Sequence, residues 1–344
     1  MKKILALLLA ILLIVGMAAC SKEGTSTDTP SEAPAETPSE TPSETPSEPE
    51  ETDDEEQPLV GISVPQAPTG WVAAVQYYAE KTAKELGLNY RLLASADPNE
   101  QASQIDELIY MKPKVIVLFP HNDQVAVAAQ KIMDAGITLI NFDRTINPAV
   151  PDHYLAGDNY GMGVEGAKYI AEKLGGKGDV IIQGVAAYGD AVNGERIKGF
   201  KDTIADVAPD IKIIGEYDSP NAAPESGLAT MTDALQANPH IDGVFSIDDE
   251  LSVGLYQAVT EQNRTDVKVM TGGGGAQSYF KIMPTTPEDV WLASALYSPT
   301  MIIDCVKMAK DILDGANPPA ETVIPSKIVD KSNVEEYLDE NSPY

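Results

Sequence analysis

From residue 59 onward the chain alternates short apolar runs with longer amphipathic stretches, almost without interruption. This pattern leaves few choices. An apolar run bounded by Gly, Pro or Asn reads as a strand covered on both faces, and apolar residues at three- and four-residue spacing read as the helix that covers it. Strands are predicted at 59–64, 90–94, 115–119 and 137–144, separated by helices at 71–86, 100–110 and 124–135. After a short strand at 154–156 the series restarts with a helix at 163–174. Strands at 180–183, 211–216, 243–247, 267–271 and 290–297 follow, interleaved with helices at 192–207, 225–237, 250–262 and 277–283. A helix at 300–313 and a strand at 327–329 close the series. Strand–helix–strand units with short connections build parallel sheets. There are too many strands for one ordinary sheet, so the restart near residues 157–159 predicts two similar α/β lobes.

The first 58 residues stand outside this pattern. Lys2 and Lys3 precede an apolar run at 4–15 that is short for a membrane span, and Met17-Ala18-Ala19 places small residues before Cys20. Segment 1–19 resembles a bacterial lipoprotein signal, which makes Cys20 the lipidated first residue of the mature chain. The alternative is a plain secretory signal or a short anchor. A lipid on Cys20 would hold the protein on the outer face of the cytoplasmic membrane. Residues 20–58 repeat Glu-Thr-Pro-Ser and end in an acidic cluster, a composition that cannot bury a core. At ~3.1 Å per residue such a tether reaches on the order of 100 Å. A lipid anchor with a long tether fits a Gram-positive cell.

The tether supplies part of the net charge of −29, but the folded part is acidic too, which argues against nucleic acid as a partner. Cys305 is the only other cysteine and has no disulfide partner once Cys20 is lipidated, so it reads as a small core residue. His121, His153 and His240 have no metal-ligand spacing and read as surface residues, and no cofactor is implied.

The chemistry concentrates at strand ends. The strand at 137–144 finishes in Asp143 and Arg144, and in an open α/β sheet ligands sit beyond the carboxyl ends of the strands. A carboxylate beside a guanidinium offers acceptors next to a rigid fork of donors, which suits vicinal hydroxyls. Taken alone, such a pair is commonly a solvated surface pair. Asp248-Asp249-Glu250 lacks the alternating ligand positions of a calcium loop, and Gly272-Gly273-Gly274-Gly275 lacks the spacing of a phosphate cradle.

Taken in order, several segments carry a resemblance: 79–87, Phe142-Asp143-Arg144, Ala156-Gly157-Asp158-Asn159, the run 194–200, and 243–258 with its three acids. The part from residue 59 to about 337 resembles the sugar-binding type of periplasmic binding protein, close to the ribose- and galactose-binding kind. The resemblance implies a type I fold: two Rossmann-like lobes with parallel sheets, joined by three hinge crossings near Asp158, Ser298 and Thr322. The N-terminal lobe would be 59–158 plus 298–322, and the C-terminal lobe 159–297 plus 323–344. It also implies site residues. Trp71 would stack on a sugar ring, and Asp143 and Arg144 would bind hydroxyls. Asn193 would recognise a hydroxyl, while Arg196 either reaches the ligand or braces its helix. Asp248 would contact the sugar, leaving Asp249 as the helix cap. Gly273 stands near where the pattern has an Asp, so the glycine run leaves room for a larger or modified sugar or lets backbone groups approach the ligand. Tyr297 stands at the second crossing, able to hydrogen-bond or stack.

The implied function is a monomeric receptor that captures a monosaccharide or related polyol and delivers it to an ABC permease, without catalysis. A receptor read by a sensor kinase or chemoreceptor would share all of these features. A secreted glycosidase using Asp143 and Asp248 is a third reading, opposed by the lack of a nucleophile–base arrangement.

Overall fold

The structure, a computed structural model, describes residues 57–344. The signal segment, Cys20 and the tether lie outside the described residues, apart from the last two residues of the 20–58 segment. Two six-stranded sheets organise the described residues. In the first, β1 (Val60–Pro65), β2 (Tyr90–Ser95), β3 (Val115–Leu118), β4 (Thr138–Phe142) and β5 (His153–Gly157) are joined by β11 (Glu321–Ile324), in the order β11-β5-β4-β3-β1-β2. In the second, β6 (Lys177–Val185), β7 (Asp210–Ser219), β8 (Gly243–Ser246), β9 (Val269–Gly273) and β10 (Trp291–Ala295) are joined by β12 (Ile328–Asp330), in the order β12-β10-β9-β8-β6-β7. The same winding is used twice. In each sheet the first strand lies between the second and the third, with Val60 opposite both Tyr90 and Val115, and Val180 opposite both Ile213 and Gly243.

The central strands are buried along their whole length, as the two-sided apolar runs require. Helix α1 (Gly70–Glu85) and α9 (Ile302–Leu313) cover one face of the first sheet, and Cys305 is buried there. Helix α2 (Pro98–Tyr110) and α3 (Ala126–Asp134) cover the other around Ile105, Leu108 and Ile132. The second sheet is covered by α4 (Asn159–Leu174), α5 (Glu195–Val207), α6 (Pro224–Ala237), α7 (Asp249–Glu261) and the short α8 (Gln277–Phe280). Helices α4 and α5 cross very closely: a Cβ at Gly163 would lie 2.0 Å from the Arg196 carbonyl oxygen, so only glycine permits the crossing that sets Arg196 in place.

The departures from the sequence reading have local causes. β11 is a half-exposed edge strand following two prolines, and its sequence carries little strand signal. It belongs to the first sheet through its last residue, Ile324, so residues 323 and 324 do not sit with the second lobe. The chain then turns straight into β12, which pairs with β10 antiparallel rather than parallel. The helix predicted at 192–207 begins only at Glu195, after a 3-10 turn at Ala186–Tyr188 and a π turn at Asp190–Gly194. His153 is not a surface residue: it is buried in β5 with Nδ1 2.9 Å from the Pro319 carbonyl oxygen, and His121 is half-buried.

Candidate functional site

The carboxyl ends of strands from both sheets open onto one cavity of about 600 Å³. Such ends, beside the point where strand order reverses, are where open α/β sheets bind ligands. The first sheet contributes Trp71 after β1, His121 and Asn122 after β3, and Asp143 and Arg144 after β4. The second contributes Tyr188 and Arg196 after β6, Asp248 and Glu250 after β8, Gly273 and Gly274 at the end of β9, and Tyr297 after β10.

Asp143 leaves β4 in the left-handed conformation, with φ +65°, a region Asp tolerates better than most residues. Its backbone is held at both ends: its N–H donates to Leu155 O at 2.8 Å and its carbonyl accepts from Tyr154 Oη at 2.7 Å. Its carboxylate accepts from Tyr297 Oη at 2.6 Å. Burial raises the carboxyl above the usual carboxylate range, against the Tyr297 hydroxyl and the charges of Arg144 and Arg196, which pull it down. Arg144 does not form the paired fork expected beside Asp143. Its Nη1 donates to the carbonyls of His121 at 2.9 Å and Pro120 at 3.3 Å, and its guanidinium lies 4.6 Å from the Phe119 ring centroid. The β4 terminus turns so sharply at Asp143 that the next side chain points back over β3.

Trp71 is half-buried on the first turn of α1. It stacks on Phe142 (5.9 Å between centroids, 4° between planes) and meets Phe119 edge-on at 5.8 Å. Its indole N–H donates to Tyr297 O at 2.7 Å. The indole is therefore held at the level of the second crossing by protein contacts.

Opposite, Arg196 is 5 % exposed. Its Nε donates to Asn159 Oδ1 and its Nη1 to Ile247 O, both at 2.8 Å, and its guanidinium lies 4.9 Å from the Tyr297 ring centroid. It both braces its helix and borders the cavity. Asp248 takes both roles expected of the pair, and Asp249 is structural without being the cap. Asp248 is the N-cap of α7, accepting from Leu251 N at 2.9 Å, and it still lines the cavity, where Tyr188 Oη donates to it at 2.9 Å. Asp249 is fully buried and accepts from Ser294 Oγ (2.6 Å), Gly275 N (2.7 Å) and Ala276 N (2.9 Å). It ties α7 to β10 and to the turn after β9. Burial raises Asp248, and it raises Asp249 to about 7.

Asn193 is not among the cavity-lining residues. Its Oδ1 accepts from Val185 N at 2.9 Å and its Nδ2 donates to Asp218 at 3.3 Å, so the amide holds the π turn. Gly273 lines the cavity, but it does not leave room: a Cβ there would lie 1.6 Å from Met162 Cε.

Glu250, His121 and Tyr344 line the cavity without having been singled out for it. Glu250 is raised to about 7 by burial and by the neighbouring Asp248. It sits four residues past the end of β8 and two after Asp248. His121 follows β3 and its Nε2 is engaged by Ser95. Tyr344 carries no signal of this kind.

Two similarly wound sheets whose strand ends converge on one cavity define a two-lobed binding protein. A family model described as a periplasmic binding protein domain matches residues 60–317. The chain belongs to the periplasmic binding protein family, one of binding proteins rather than enzymes. It is similar to the ribose import binding protein of Bacillus subtilis, 25% identical over 238 residues, covering 68% of this chain and 75% of that protein. It is also similar to the D-apiose import binding protein of Actinobacillus succinogenes, 31% identical over 216 residues, 62% of this chain and 68% of the other. Among solved structures, an ABC transporter periplasmic solute binding protein from Actinobacillus succinogenes with bound D-allose superposes with a TM-score of 0.71 at 22% identity, over 82% of this chain and all of that one. One from Bacillus halodurans with bound myo-inositol gives 0.70 at 19% identity, over 85% and 100%.

Proposed function

We propose that this chain captures a sugar or polyol between its lobes and delivers it to an ABC importer, held at the outer face of the cytoplasmic membrane as a monomer by a lipid on Cys20. The carrying observation is that Asp143 and Asp248 reach one cavity from opposite sheets, with Trp71 beside them. Carboxylates accept from hydroxyls, and an indole packs on the apolar C–H face of a sugar ring. Arg196, spent in part on Asn159 and Ile247, retains donors for a ring or hydroxyl oxygen. The relatives' names are those of ribose and D-apiose importers, which supports an aldose or a related polyol. A cavity of this size suits a small ligand enclosed on most sides.

Calorimetric titration of the purified full chain with pentoses, hexoses, xylitol and myo-inositol tests the reading. Saturable binding to at least one of them, abolished by Asp143→Ala, is the expected result. Binding that survives both Asp143→Ala and Asp248→Ala overturns the assignment of the cavity. The anchor is tested separately: Cys20→Ser should release the protein from membranes into the medium.

A further inference from the structure

The run 272–275, which ends β9 and continues into the turn after it, is made entirely of glycine. At three of the four positions the side chain it lacks is replaced by one from elsewhere. A Cβ at Gly272 would lie 2.3 Å from Asp249 Oδ1, one at Gly273 would lie 1.6 Å from Met162 Cε, and one at Gly274, where φ is +129°, would lie 2.2 Å from Tyr344 Oη. Asp249 and Met162 face the interior. Tyr344 alone of the three lines the cavity.

Tyr344 reaches that position from outside both sheets, on a strap at residues 338–344. The strap is pinned on two sides. Tyr78 Oη on α1 donates to Asp339 Oδ2 at 3.1 Å. Gln277 on α8 donates to Tyr337 O at 3.0 Å, accepts from Asp339 N at 2.9 Å, and gives its own N–H to Tyr344 O at 3.1 Å. The ring is 7 % exposed and packs in the apolar cluster with Ala276 and Tyr297. Its hydroxyl makes no hydrogen bond among the described residues. Burial, with the carboxylates of Asp248 and Asp249 nearby, keeps that phenol protonated and so a donor.

We infer that Tyr344 is a specificity-determining residue of the cleft, a side chain delivered by the strap into the gap the glycine turn leaves, where its ring limits ligand size and its hydroxyl meets the ligand. This rests on the reading of the cavity as the ligand site. The glycine run is then a socket for a protein side chain rather than an enlargement for the ligand.

The test is a binding panel on the full chain: D-ribose, D-allose, myo-inositol and maltose, with L-glutamate and spermidine as non-sugar probes. Tyr344→Phe should keep the parent's size range and weaken its best ligand by roughly tenfold, the worth of one hydrogen bond. Tyr344→Ala should weaken that ligand further and admit maltose. Tyr344→Leu, which preserves apolar packing, covers the case in which the alanine variant unfolds, and it should also reorder the panel. Variants that fold and bind the panel in the parent's rank order, with affinities within about twofold, overturn the inference. A parent that prefers glutamate or spermidine to every sugar overturns the sugar reading instead, and Tyr344 is then judged by the same comparison on that ligand.

Discussion

Tyr297→Phe removes one oxygen atom and little else. The variant keeps the backbone carbonyl that receives the Trp71 N–H and the ring beneath Arg196. It loses the 2.6 Å hydrogen bond to Asp143, a carboxyl already raised by burial. A hydrogen bond to a charged, poorly solvated acceptor is worth about 1.5–3 kcal/mol, against about 1 kcal/mol for a neutral one. The sign with pH follows. Asp143 has a folded-state pKa above its unfolded value, so its ionisation favours the unfolded chain: stability from this group is complete below the ordinary Asp value and is lost as pH rises through the raised one. Removing the hydroxyl raises the folded value further and deepens that loss. The deficit of the variant should therefore be about 2–3 kcal/mol near pH 8 and about 1 kcal/mol near pH 4. At roughly 2–4 °C per kcal/mol for a domain of this size, the melting temperature falls visibly more at the higher pH. Urea unfolding of parent and variant at both pH values measures it. Equal deficits at the two pH values, or none, would refute the argument that Asp143 is a desolvated carboxylate supported by Tyr297.

Trp71→Ala should abolish measurable ligand binding and also destabilise the fold by about 2–4 kcal/mol, because the indole packs on Phe142 and Phe119 and holds the Tyr297 carbonyl; unchanged affinity by calorimetry would remove it from the site. Asp249→Ala strands two buried donors and a part-buried one and should cost roughly 3 kcal/mol or more in denaturant unfolding, whereas Asp248→Ala, which frees one backbone donor and a phenol, should cost less and instead weaken binding. Glu250, raised to about 7, stabilises the fold fully below the ordinary Glu value and loses that contribution as pH rises through about 7. Glu250→Gln should flatten the pH dependence of unfolding across that interval relative to the parent, and superimposable profiles would count against it.

The two-sheet plan was legible because both sheets repeat one pattern, and buried central strands cannot be written in sequence any other way. Asp143 stands out in the sequence by its place at a strand's carboxyl end and Trp71 and Asp248 by the resemblance to sugar-binding proteins, and all three line the cavity. What escaped was settled by tertiary contact. Asp248 and Asp249 have equal claims to cap a helix in sequence, and only the neighbouring Ser294 and the backbone of Gly275 and Ala276 decide which one is turned away from the cavity. Asn193 is chemically suited to a hydroxyl, yet Val185 N and Asp218 take its amide first. The glycine run reads as empty space until Met162 and Tyr344, distant in sequence, are seen to fill it. β11 is half-exposed and short, and its pairing with β5 draws on no hydrophobic pattern of its own.

The left-handed backbone at Asp143 bears on how the cleft can be retargeted. A β-branched or bulky side chain is strongly disfavoured at φ +65°, so a library varied freely at that position would mostly sample strained proteins. Asn and Gly are the substitutions the main chain accepts with least resistance. A sensor built on this scaffold would keep residue 143 within that narrow alphabet and draw its diversity from positions whose backbone is ordinary.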